Sequence, residues 1–213
     1  MSTQQRIHLI SGLGADEKVF SNLDLQGYTT SYVPWLTPHK KERITAYAAR
    51  MAEQINDPAP VILGVSFGGM MGIEISKLLP VQKLFIVSSI KTVRELPRWM
   101  RVVGAMQLNK FLPTKSYKYT EKVDNNRLGV STAEEKEMVR AYRRNANPVY
   151  VEWAINEVLN WKNDWHPETI VHIHGDNDRI FPVKKIGDAH VLKGGTPMMI
   201  YNRATEIASI VRT

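Results

Sequence analysis

The chain has 213 residues, 43% of them apolar and 23% charged, enough for one well-buried domain and short for two independent ones. It contains no cysteine, which excludes disulfides and thiolate chemistry and is compatible with a reducing compartment, and its formal charge is +7. No apolar run approaches the about 20 residues of a membrane span and the start of the chain has no secretory pattern, so a cytoplasmic protein with no membrane span is expected.

Ile7-His8-Leu9-Ile10 reads as a strand that runs into Ser11-Gly12-Leu13-Gly14, after which Val19, Phe20 and Leu23 suggest a helix. A Gly-x-Gly turn here can cradle a dinucleotide pyrophosphate or offer a backbone N–H to an oxyanion. The dinucleotide fingerprint needs a third glycine where this chain has Glu17, and an acid near the end of the next strand, which reads Tyr32-Val33-Pro34-Trp35-Leu36. No cofactor is expected.

Tyr28 to Trp35 is strand-like, and Leu36 to His39 is a loop leading to a helix with Ile44, Tyr47, Ala48, Met51, Ala52 and Ile55 on one face. Asn56-Asp57-Pro58-Ala59-Pro60 stops that helix. Val61-Ile62-Leu63-Gly64-Val65 is too short for a helix and has the β-branched content of a buried parallel strand. It meets Ser66, flanked by Gly64 and Gly68, and then a mostly apolar helix of Met70, Met71, Ile73, Ile75, Leu78 and Leu79 that ends at Pro80. Glycines two residues either side of a serine fit a reversal too tight for a Cβ, which holds the hydroxyl out at the strand's carboxyl end. Lys83 to Ile90 is a further buried strand, so the alternation implies a parallel sheet with right-handed crossovers.

From Lys91 to about Trp165 the sequence reads as helices only. Pro97 to Leu112 is amphipathic through Trp99, Met100, Val102, Val103, Met106 and Phe111, and Thr114 to Val130 is polar and loop-rich. Thr132-Ala133-Glu134-Glu135 is a capping box for a helix to about Asn145, and Pro148 opens another. Lys91 to Arg144 carries 13 Lys and Arg against 6 Asp and Glu, so all the excess charge lies there. Such a surface can attract nucleic acid, an anionic membrane or an acidic substrate. With Trp99, Tyr117, Tyr119 and Tyr142 but no nucleic-acid module, it reads as a solvated face and no nucleic-acid partner is expected.

Thr169 to Ile173 is a strand entering His174-Gly175-Asp176-Asn177-Asp178, a turn that closes on Phe181-Pro182. His172 and His174 alternate with apolar residues and read as buried and hydrogen-bonded; no third ligand accompanies them at metal spacing, so no metal is expected. Ala189 to Gly195 is the last strand, before Thr196-Pro197-Met198 and a short terminal helix with Ile207, Ile210 and Val211.

Gly64-Val65-Ser66-Phe67-Gly68 between strand and helix, together with His174-Gly175-x-x-Asp178-x-x-x-Pro182, resembles the α/β-hydrolase superfamily over nearly the whole chain. The resemblance implies a mostly parallel sheet of about six strands, with residues 1–90 and 166–213 as core and 91–165 as a helical cap over the acyl pocket. It implies Ser66 as nucleophile, Asp178 as triad acid with Asp176 left as a turn residue, and the N–H groups of Leu13 and Phe67 as oxyanion hole. The general base would follow the last strand in a segment resembling Gly-Gly-x-His, where this chain has Gly194-Gly195-Thr196-Pro197. Proline offers no base. His190, His166 and His8 lie at the wrong end of, or inside, their strands, which leaves His39 and His174 near the carboxyl face. The expected function is a serine hydrolase of a carboxylic ester or thioester with its base lost. The alternatives are a non-catalytic protein that binds a small acyl molecule, and an adaptor using the basic segment.

Overall fold

Val61–Val65 and Leu84–Val87 are apolar at every position but Gly64 because both faces of the sheet they enter are covered. The computed structural model describes residues 5–107 and 121–213. Its strands are β1 (Gln5–Ile10), β2 (Tyr28–Tyr32), β3 (Val61–Val65), β4 (Lys83–Val87), β5 (Ile170–Gly175) and β6 (His190–Leu192). They form one sheet in the order β2-β1-β3-β4-β5-β6, with every neighbouring pair parallel. Alternate residues serve separate cores: Ile62, Leu84 and Ile86 pack with α1 (Ile44–Ala52) and α2 (Phe67–Ser76). Leu63, Phe85 and Val87 pack on the other face with Ile207, Ala208 and Val211 of the terminal helix.

Between β4 and β5 the chain is helical: α3 (Arg98–Ala105), α4 (Glu121–Leu128), α5 (Ala133–Asn145) and α6 (Pro148–Leu159). Met199–Asn202 is α7 and Ala204–Val211 is α8. The capping box is formed, with Glu135 N–H donating to Thr132 Oγ1 at 3.1 Å and Thr132 N–H donating to Glu135 Oε2 at 2.9 Å. Pro148 stands in the first turn of α6, where its missing N–H costs nothing.

Tyr28 to Trp35 and Lys83 to Ile90 are strands only as far as Tyr32 and Val87, and other expectations from the sequence need correction too. The helix expected after Gly14 is one 3-10 turn, Glu17–Phe20, because Val19 and Phe20 are buried against the sheet and the chain must turn again to reach β2. The segment read as loop-rich holds α4, whose charged and amide residues give no apolar stripe to read. The last strand is shorter than Ala189–Gly195, since after Leu192 the chain turns, with Gly195 N–H donating to Leu192 O at 3.1 Å. Residues 108–112 of the helix expected from Pro97, the loop expected over 114–120 with its Tyr117 and Tyr119, and residues 1–4 lie outside the described residues.

The tightest packing lies where α2 meets β3 and β1. A Cβ on Gly64 would stand 2.3 Å from Gly68 O, and one on Gly68 would stand 2.3 Å from Ile10 O. Both obstacles are backbone and cannot swing aside. Gly68→Ala is therefore expected to lower the unfolding free energy in urea by about 3 kcal/mol, the upper range for overpacking, or to prevent folding. Gly12→Ala, whose Cβ meets only ordinary contacts at 3.5 Å and beyond, should stay within about 1 kcal/mol of the parent.

Candidate active site

Because β3 ends directly under the start of α2, the residue joining them must reverse the chain in one step. Ser66 does so with φ 52° and ψ −117°, a region costly for a residue with a Cβ, at about 1–3 kcal/mol. The conformation is held from several sides: Ser66 N–H donates to Val87 O at 2.9 Å, and Ser89 Oγ donates to Ser66 O at 2.7 Å. The Ser66 hydroxyl caps nothing in α2, and its residue is half-exposed in the wall of a cavity of about 1350 Å³.

The register aligns Ile10 with Gly64, Val65 with Val87, and Val87 with Ile173, so the turns after β1, β3, β4 and β5 share one edge of the sheet. Gly12 packs on Ser66, the position of its absent Cβ lying 3.5 Å from Ser66 Cβ. Leu13 and Phe67 line the same cavity, and neither backbone N–H has an acceptor among the described residues. Ser11 holds the glycine turn in shape: its hydroxyl donates to Ala15 O at 2.8 Å, accepts from Trp35 Nε1 at 3.0 Å and lies 3.0 Å from Tyr32 Oη. Trp35 in turn stacks on Phe67, with centroids 5.2 Å apart and planes at 17°. Sequence reading missed this brace because Ser11, Tyr32 and Trp35 belong to no motif.

Asp178 follows β5 and is 4% exposed, behind a stretch of cavity wall made by Arg179, Ile180 and Phe181. Its Oδ1 accepts from the N–H groups of Ile180 and Phe181, each at 2.8 Å. Oδ2 is buried without a hydrogen bond, 3.8 Å from His174 Nε2. Burial raises the pKa of Asp178, while the amides of Phe181 and Ile180, the His174 ring and the nearby Ser88 hydroxyl pull it down. Asp176 is indeed a turn residue, its Oδ1 accepting from Gly194 N–H at 2.6 Å. That bond, and the contact of Gly195 with Gly175, where a Cβ on Gly175 would be 2.2 Å from Gly195 O, carry the chain after β6 back to the site. Pro197 therefore lines the cavity with Ser66.

No histidine does. His174 is buried and bonded through Nε2 to Phe181 O at 2.8 Å, and His39 is exposed on a loop whose residues contribute nothing to the cavity. His8 pairs with Asp57 at 2.5 Å, and His190 is exposed on the edge strand. His172 departs from expectation: it is buried, but neither ring nitrogen finds a partner of normal geometry. In the basic segment Arg127, Arg140 and Arg144 are exposed, and together with Arg143 they also line the cavity.

Known structures share the fold. A lipase-esterase related protein from Clostridium acetobutylicum superposes with a TM-score of 0.71 at 14% identity, over 99% of this chain and 94% of that one. An esterase from Exiguobacterium antarcticum gives 0.69 at 13% identity, over 99% and 91%. An epoxide hydrolase from Bacillus megaterium, in complex with an inhibitor, gives 0.67 at 12% identity, over 98% and 92%. The chain has the α/β-hydrolase fold. No protein-family model matches the sequence, and no curated protein matches it. At these identities the likeness shows the fold alone. Among the described residues no helix is long and apolar enough to cross a membrane.

On β5, burial pushes the pKa of His172 down to about 3, and the charges of His174 and Lys91 add to the effect. A histidine kept neutral in the fold takes up a proton only on unfolding, so its contribution is complete above about pH 6.5 and is lost as pH falls towards about 3. Over that window one proton corresponds to a slope of about 1.4 kcal/mol per pH unit. His172→Leu should flatten the fall in unfolding free energy between pH 6.5 and 4 by up to that slope, read by urea denaturation at each pH. Asp178, with its raised pKa, acts in the opposite sense in both proteins and cancels in the comparison.

Proposed function

We propose that this chain is a serine hydrolase scaffold for carboxylic esters or thioesters in which the base has been lost. The observation that carries the reading is the strained Ser66, its hydroxyl bonded to nothing in its own helix, beside two backbone N–H groups without acceptors at the edge of a large cavity. In this reading Ser66 Oγ adds to the acyl carbonyl and its proton passes to a base. The carbonyl oxygen becomes an oxyanion held by the N–H groups of Leu13 and Phe67, the second aided by the positive end of α2. The leaving oxygen or sulfur departs with a proton, and water repeats the addition on the acylated serine. The helices between β4 and β5 act as a cap that excludes water from these steps.

The missing part is the carrier of that proton. An imidazole at residue 197 could accept it, and the unbonded Oδ2 of Asp178 supports the same reading, since a buried carboxylate oxygen without a partner suits an imidazole N–H. Proline accepts and donates nothing, so acylation is left to the oxyanion hole and to binding, about 10³–10⁴ over water. A second reading, a non-catalytic protein that binds an acyl molecule, is favoured by the lack of any histidine in the cavity wall.

Wild-type chain should hydrolyse p-nitrophenyl butyrate barely above background, and Pro197→His should raise kcat/KM by about 10²-fold or more, the scale of general-base assistance. Ser66→Ala in the Pro197→His background should remove the gain, and Asp178→Asn should remove most of it. Enzyme-like turnover by wild type that Ser66→Ala abolishes would mean that the base lies elsewhere. No turnover by a folded Pro197→His chain, with Ser66 inert to a fluorophosphonate, would favour the binding protein.

A further inference from the structure

The cavity has a charge pattern that ester chemistry does not require. Five arginines line it, Arg127, Arg140, Arg143, Arg144 and Arg179, and no lysine, aspartate, glutamate or histidine joins them among the described lining residues. They come from α4, from α5 and from the turn after β5, so separate elements converge on one rim. Arg179 donates to the neutral amide of Asn126, and Glu137 bonds Arg144 at 2.8 Å. Arg127 has no ion pair among the described residues. The rest of the wall is largely apolar, including Trp99, Met100, Val151, Ile155 and Val158.

We propose that the cavity binds an amphiphilic anion, its apolar chain seated on α3 and α6 and its anionic head, a carboxylate or phosphate, held at the rim by Arg127, Arg179 and their neighbours on α5. This names the substrate class of the site and rests on the reading of that cavity as the acyl pocket. A wall of one sign beside low-dielectric apolar surface focuses its field and raises the local concentration of anions. Arginine suits planar forked hydrogen bonds to carboxylate or phosphate oxygens. The volume of about 1350 Å³ holds a medium-length chain together with a head group.

Binding tests this without turnover, because the wild-type chain can be titrated calorimetrically with decyl phosphate, decanoate and the neutral decanol. At least one anion is expected to bind one-to-one about tenfold tighter than decanol, with the margin shrinking as sodium chloride rises. The tighter of the two anions identifies the head group as phosphate or carboxylate. Arg127→Glu and Arg179→Glu, both at exposed side chains, should each remove most of the margin while leaving decanol binding unchanged. Equal affinity for decanol and both anions, or a margin that survives both substitutions, would overturn the proposal. The outcome is separable from that of the hydrolase reading. An anion margin with a folded but silent Pro197→His chain keeps this proposal and rejects ester hydrolysis; turnover without a margin does the reverse.

Discussion

The approach of α2 to the ends of β1 and β3 is the constraint on which the rest of the molecule depends. Two glycines let helix and strand backbones come close enough that the connecting residue has one route, through positive φ. That route turns the Ser66 side chain out of the core and leaves the first N–H of α2 without an acceptor beside it. The strain is sustained by neighbours that bond Ser66 through its backbone, Val87 O on one side and Ser89 Oγ on the other. Relaxing either glycine contact would release the serine geometry with it, so the stability of the fold and the shape of the site have one physical origin.

Around this turn the molecule is braced by polar atoms on aromatic side chains. Trp35 stacks on Phe67 and bonds Ser11, coupling the start of α2 to the glycine turn after β1. Trp153 bonds Glu42 O at 2.8 Å and packs on Tyr47 at 4.2 Å, and Trp161 bonds the buried Glu74 at 2.8 Å. Glu157 accepts from Ile44 N–H at 3.0 Å. These contacts fasten the region after β4 to α1 and α2, so Val151, Ile155 and Val158 of α6, which line the cavity, stand on a fixed base. Each aromatic pair adds about 0.5–1.5 kcal/mol beyond its buried area, and each indole N–H avoids the cost of burial without a partner.

The polar interior beneath β5 is less comfortable. His172 and His174 lie edge to face at 5.1 Å, His174 is bonded to Phe181 O, and one oxygen of Asp178 is left over. A buried carboxylate with an oxygen and a neutral imidazole with two nitrogens that lack a partner of normal geometry both cost stability. The turn pays this through the two amide bonds to Asp178 Oδ1, which set the path of Ile180 and Phe181 along the cavity. Asp178 thus has a structural role in the turn whether or not its second oxygen ever meets a base.

Periodicity and punctuation were sufficient to read six parallel strands, the capped helices and the serine turn, because these follow from local rules: alternation of buried faces, a capping box, glycines that a tight turn demands. Pro197 at the expected base position was equally plain, since a missing side chain is visible in any sequence. The short turn at Glu17–Phe20 and helix α4 were not legible, the first because burial against the sheet overrode a helical pattern, the second because its residues have no apolar stripe. Nor could residue order reveal that arginines scattered from 127 to 179 meet on one rim, or that Ser11, Tyr32 and Trp35 form one brace. Charge counts are sums along the chain, whereas a field in a cavity depends on which charges point inward. That convergence of distant side chains is a property of the folded packing alone.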